Sequence, residues 1–125
     1  IITEEDIERI GKHNIKAIPQ SVHCISDATM AKVRLGERKS IAYPWKTLVK
    51  HGIKPAGSSD FPIESANPLI GIDAYCRRIP FDDTHAWMPE EILSAEEYHL
   101  FSQCEQGFDS PPLYMFLYHP FPQTW

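Results

Sequence analysis

The chain has 125 residues and ordinary apolar content, enough for one domain or part of one. Its formal net charge of −5, with no local cluster of Lys or Arg, argues against a nucleic-acid surface. No apolar run approaches the roughly 18–20 residues of a membrane span. The cysteines, Cys24, Cys76 and Cys104, are odd in number and form no Cys-x-x-Cys, so they read as reduced, mostly buried thiols of a cytoplasmic protein.

Thr3-Glu4-Glu5-Asp6 predicts a helix start. Thr3 caps it, Asp6 stands in for the usual Glu of a capping box, and the acids suit the positive end of the helix dipole. Ile7 and Ile10 share a face, Ile2 is placed as a staple, and Asn14 is a left-handed stop. Residues 15–20 read as a strand with Pro19 near its end, followed by a loop carrying His23. Ser26-Asp27 is a capping signal for a short helix from Asp27 to Leu35, closed by Gly36. Residues 40–51 predict a third helix with Pro44 in its first turn and Gly52 just past its end.

Residues 53–59 form a second expected strand, parallel to the first and adjacent to it across a helical crossover. Asn67 to Arg78 reads as a helix with Pro68 near its start. After a loop, Ser94-Ala95-Glu96-Glu97 is a capping box. Beyond Tyr98 the sequence loses its period. Residues 107–125 are crowded with proline and aromatic side chains, and only Leu113 to Tyr118 suggests a strand.

No self-sufficient active-site motif is present: no His-x-His, no His-Glu-x-x-His, no phosphate loop and no Gly-x-Ser-x-Gly. The candidates are Asp60, His23, Asp27 and Glu64. Asp60 follows the second expected strand, where α/β barrels keep their chemistry. The alternative is that Ser58-Ser59-Asp60 is turn and cap material. For His23 the alternative is a loop histidine bonded to nearby backbone. Glu64 is expected to bond neighbouring backbone, and Trp45 and Trp87 to pack.

Five pieces in register carry a family resemblance over about residues 3–97. They are Thr3 to Arg9; Pro19-Gln20-Ser21-Val22-His23 with Ser26-Asp27; Arg34 to Arg38 with Ala42-Tyr43-Pro44-Trp45; Gly57-Ser58-Ser59-Asp60-Phe61-Pro62-Ile63-Glu64 with Asn67 to Ile72; and Trp87 to Glu91 with Leu93 to Glu97. Together they resemble the C-terminal part of the barrel of amidohydrolase-superfamily enzymes, in the branch of the N-substituted formamide deformylase-like metal-dependent hydrolases. Two departures stand out. Ser21 replaces the proline of the family's Gln-Pro-x-His loop, and the resemblance stops near Tyr98, which a reading-frame shift would explain.

The resemblance implies an α/β fold: residues 1–97 as an incomplete C-terminal portion of a TIM (β/α)8 barrel carrying strands seven and eight, with 98–125 as a divergent tail. It implies hydrolysis of a non-peptide C–N bond in a small amide or formamide, with a divalent metal, zinc first, at the barrel mouth. Asp60 matches the strand-eight aspartate that contacts the metal centre and takes a proton from the hydrolytic water; such metals lower that water's pKa toward about 7. His23 matches a substrate-binding position after strand seven, within reach of a carbonyl. The family's histidine ligands from strands one, five and six have no counterpart in this sequence. The chain alone is therefore expected to bind metal weakly and to be inactive. The alternative is a non-catalytic α/β remnant or interaction domain. Neither nucleic acid nor membrane is expected as a partner, and the oligomeric state is left open.

Overall fold

A computed structural model describes residues 1–102, with side chains described through Tyr98. Its helices are α1 (Glu4–Lys12), α2 (Val22–Ser26), α3 (Ala28–Leu35), α4 (Trp45–Lys50), α5 (Pro68–Arg77) and α6 (Ala95–Ser102). Short 3-10 turns cover Gly36–Ile41 and Pro89–Glu91. The readings of residues 107–125, including the Leu113 to Tyr118 strand, fall outside the described residues.

Helix α1 follows the sequence closely. The Thr3 Oγ1 accepts from the Asp6 amide at 3.2 Å and donates to the Asp6 carboxylate at 2.8 Å. Asn14 adopts φ 50° just past the end. Ile7 is buried with Leu48 and Ile53, and Ile2 and Ile10 pack against them, so the expected staple is made. Asn67 caps α5 through its side chain, with Pro68 in the first turn. Ser94 and Glu97 exchange the two bonds of a capping box, at 2.8 and 3.2 Å.

The two expected strands pair in parallel, but only over a few residues. The amides of Ala56 and Ser58 donate to the carbonyls of Ala17 and Pro19 at 2.9 and 3.0 Å, and the Ser21 amide donates back to Ser58 at 3.1 Å. One parallel bridge, Gln20 with Ser58, is complete. The next return bond would come from residue 19, and Pro19 has no N–H to give. Proline at that position reduces the expected ladder to an isolated bridge.

Three further expectations are corrected. His23 lies in α2, not in a loop. Neither Ser26 nor Asp27 caps α3 with its side chain: Ser26 Oγ donates to Glu64 at 2.7 Å, and Asp27 accepts from the Tyr43 hydroxyl at 3.1 Å. The helix expected over 40–51 starts only at Trp45, because its first residues belong to the 3-10 turn Gly36–Ile41 and Tyr43, at φ 51°, breaks the helical backbone. The Glu91 carboxylate reaches over from the Pro89–Glu91 turn and accepts from the Thr47 amide at 3.0 Å and from its hydroxyl, tying down the start of α4.

The main core joins Cys24, Ala28, Ala31, Ala42, Trp45, Tyr75, Trp87, Met88 and Leu93. At its centre is Arg78, 0% exposed, which caps the end of α5 in the left-handed conformation. Its guanidinium lies 4.5 Å from the Trp45 ring centroid. Its Nε donates to the Trp87 carbonyl at 2.9 Å, and Nη1 to the Tyr43 carbonyl at 3.0 Å. Trp45 and Trp87 are buried packing residues, as expected.

Two hydrogen bonds from a charged donor contribute about 1.5–3 kcal/mol each. Arg78→Ala removes both and opens a void against the Trp45 and Trp87 rings, so it is expected to cost about 3 kcal/mol or more. Urea unfolding of the wild type and the variant measures this; a loss below about 1 kcal/mol would show that the buried guanidinium is not central to the core.

Candidate functional site

The paired segments 17–21 and 56–58 run parallel, so their carboxyl ends lie on one edge. The chain leaves the first end directly into α2, whose second residue is His23. It leaves the second end into a turn. The amides of Asp60 and Phe61 donate to the hydroxyls of Ser58 and Ser59 at 3.2 and 3.3 Å, and the Ile63 amide closes the turn on the Asp60 carbonyl at 2.9 Å. Asp60 itself holds φ 57°, the left-handed region in which an aspartate is tolerated better than most residues. The two serines therefore do make turn bonds, and those bonds present the Asp60 carboxylate rather than occupying it.

The turn and the helix meet at the His23 ring. Its Nε2 lies 3.6 Å from Asp60 Oδ2, and its Nδ1 lies 3.2 Å from Glu64 Oε1. The same Glu64 oxygen accepts from Ser26 Oγ at 2.7 Å. Burial grades across the group: the His23 and Glu64 side chains are 18% and 20% exposed, whereas Asp60 is 45% exposed and faces solvent. The sequence reading placed Asp60 and His23 at one edge, and the structure brings them together there. It assigned Glu64 to nearby backbone; Glu64 instead bonds two side chains about forty positions earlier in the chain. Ser26, whose sequence signal is that of a helix cap, is turned to this edge instead. Asp27 is drawn away from this edge by Tyr43.

Among the described residues, no group of three or more His, Cys, Asp or Glu side chains is arranged to hold a metal ion. Asp60 and His23 are donor types that suit zinc, but two ligands are fewer than the three protein ligands a catalytic zinc takes.

A thiol nucleophile does not fit the site either. Burial pushes the Cys24 thiol from its ordinary 9.0 up to about 12, although Arg78 nearby opposes the shift, and burial also raises Cys76. Neither thiol is activated in the manner of a catalytic cysteine. No helix among the described residues is long and apolar enough to cross a membrane.

The chain is 40% identical over 75 residues to the Bacillus subtilis (strain 168) protein named "Putative amidohydrolase YtcJ", covering 59% of this chain and 14% of that protein. It is 33% identical over 88 residues to the Arabidopsis thaliana protein named "Protein LONG AFTER FAR-RED 3", covering 69% of this chain and 15% of that one. The chain thus spans only 14–15% of the length of these curated relatives. No protein-family model matches the chain, and no solved structure matches it. One of these similarities, over part of the chain, is thus to a protein whose name carries the word amidohydrolase.

The thiol and phenol groups of the core set a pH dependence. Burial raises Cys24 and Tyr98, each to about 12, and raises Tyr43 and Tyr75 above their ordinary 10.0. Each holds its proton more tightly folded than unfolded. The stability they contribute is complete below about pH 9 and is lost as pH rises from there toward 12. Urea midpoints are expected to be flat from pH 7 to about 9 and to fall above it. In a Cys76→Ser, Cys104→Ser background, Cys24 is expected to react with iodoacetamide only after unfolding; fast native alkylation at neutral pH would contradict the buried, protonated thiol.

Proposed function

We propose that residues 1–97 are the C-terminal part of a metal-dependent amidohydrolase barrel that cleaves a non-peptide C–N bond in a small amide or formamide. The segments 17–21 and 56–58 stand as its strands seven and eight. The observation that carries this reading is the meeting of Asp60 and His23, at 3.6 Å, just past the carboxyl ends of two parallel-paired segments. Catalytic side chains of (β/α)8 enzymes gather at that end of the strands. The similarity to a protein named as an amidohydrolase supports the same reading.

In this reading Asp60 is the proton acceptor. Its carboxylate is the more exposed member of the group and is held by a turn rather than a flexible loop, so it can meet a water attacking a carbonyl carbon. It takes that water's proton and returns it to the departing nitrogen, the double duty of a general acid–base. His23, fixed in α2, lines the substrate side. The divalent metal, with zinc the best match to these donor types, is held mostly by residues that this sequence does not contain.

Two assays test the proposal. The 125-residue chain with Zn²⁺ or Mn²⁺ is expected to show no turnover of N-acyl or formamide substrates; turnover abolished by Asp60→Asn would overturn the assignment of the metal to other sequence. In a longer protein carrying this sequence together with the missing histidines, Asp60→Asn is expected to lower kcat by about 10²–10⁴-fold. An unchanged kcat there would remove Asp60 from catalysis and leave a non-catalytic α/β domain as the better reading.

A further inference from the structure

The contacts of Glu64 determine more than its position. An ionised carboxylate only accepts hydrogen bonds. Its Oε1 takes the Ser26 hydroxyl at 2.7 Å and faces His23 Nδ1 at 3.2 Å, so the His23 proton must sit on Nδ1 for that contact to be a bond. His23 and Ser26 are three apart on α2 and therefore share a face, which lets one oxygen serve both. On the other side of the ring, Asp60 Oδ2 is 3.6 Å from Nε2, beyond the 2.7–3.2 Å range of N–H···O bonds, and does not claim that nitrogen.

We infer that Glu64 is a positioning residue that holds the neutral His23 ring as the Nδ1–H tautomer, so that Nε2 is presented beside Asp60 as a hydrogen-bond acceptor for a nitrogen donor. This rests on the reading of the edge as an amidohydrolase site and refines it. In that tautomer His23 has no proton to give a substrate carbonyl. Two acceptors 3.6 Å apart, Nε2 and Oδ2, instead match a group bearing two hydrogens. The ligand class is a primary amide nitrogen, or the amine released when a C–N bond is cut. Glu64 then acts on His23 as carboxylates act on metal-bound or catalytic histidines, by fixing which ring nitrogen is free.

The test is the tautomer of His23, read from imidazole ¹⁵N shifts in two-bond ¹H–¹⁵N spectra of the labelled full chain, with His23 assigned by its loss in His23→Gln. His51 is an internal reference, since its Nδ1 lies 2.9 Å from the Thr47 carbonyl and must also carry the proton. In the wild type, the neutral His23 is expected to show a pyrrole-type Nδ1 and a pyridine-type Nε2. Glu64→Gln keeps a carbonyl acceptor and is expected to keep that pattern, whereas Glu64→Ala is expected to lose it with His51 unchanged. A neutral wild-type His23 protonated on Nε2 would overturn the inference, whether or not Glu64→Ala folds. So would a Glu64→Ala protein that retains the Nδ1–H pattern. The readout needs no turnover, so absence of hydrolase activity would leave a positive tautomer result standing, and a wrong tautomer would leave the hydrolase reading to its own assays.

Discussion

The described structure depends most on the burial of one cation. Arg78 has no exposed surface, and burial disfavours its charged form, yet it is retained at the centre of the largest core cluster. Desolvation on this scale is tolerated only where hydrogen bonds and polarisable neighbours replace water. The carbonyls of Tyr43 and Trp87 supply the bonds, and the faces of Trp45 and Trp87, at 4.5 and 5.9 Å, supply the neighbours. Those partners come from two separate stretches of chain, and the end of α5 that carries Arg78 is a third. Holding one guanidinium, bonded through Nε and Nη1 while its buried Nη2 has no hydrogen-bond partner among the described residues, therefore fixes the end of α5, the entry to α4 and the segment leading to Leu93 at once.

The backbone bears the cost. Tyr43, Arg78 and Met88, each at or next to this cage, hold φ between 51° and 54°. A left-handed residue other than glycine costs about 1–2 kcal/mol. Three such residues persist together because the side chains they aim pack in or against the main core: Arg78 and Met88 are buried, and Tyr43 packs on the cluster and bonds Asp27. Tyr75 carries the constraint from the core to the edge of the paired segments. Its ring packs 4.4 Å from Trp45, and its hydroxyl donates to the Pro19 carbonyl at 2.8 Å. The same carbonyl accepts from Ser58, so the phenol braces the segment whose ladder the proline interrupts.

The candidate site inherits this bracing. α2 starts one residue after Ser21, which is buried and bonded to Ser58, and so His23 is held to the same frame as the turn that carries Asp60. The polar group at the edge is layered: a solvent-facing carboxylate, a half-buried ring, then a second carboxylate shared with a hydroxyl. Such layering sets the ring between two carboxylates and leaves the outer one accessible to solvent.

The sequence by itself determined the local features whose causes are local. Thr3 with Asp6, Asn67 with Pro68, and Ser94 with Glu97 set three helix starts through side chains within a turn of the bonds they make, and Asn14 and Gly52 adopt the left-handed stops expected of them. It also marked Asp60 and His23 as the residues to watch, through the order of motifs along the chain. Tertiary structure decided the rest. Ser26 and Asp27 carry the same capping signal as Thr3, but partners at positions 64 and 43 drew their side chains away. The pairing of residues 17–21 with 56–58 was readable; its shortness followed from a single missing N–H in a ladder whose register only the fold sets. Glu64 was expected to bond neighbouring backbone and Arg78 only to end a helix, because a charged side chain reveals its partner only when distant segments close around it. In both cases that closure, not local propensity, decided which groups the side chain meets.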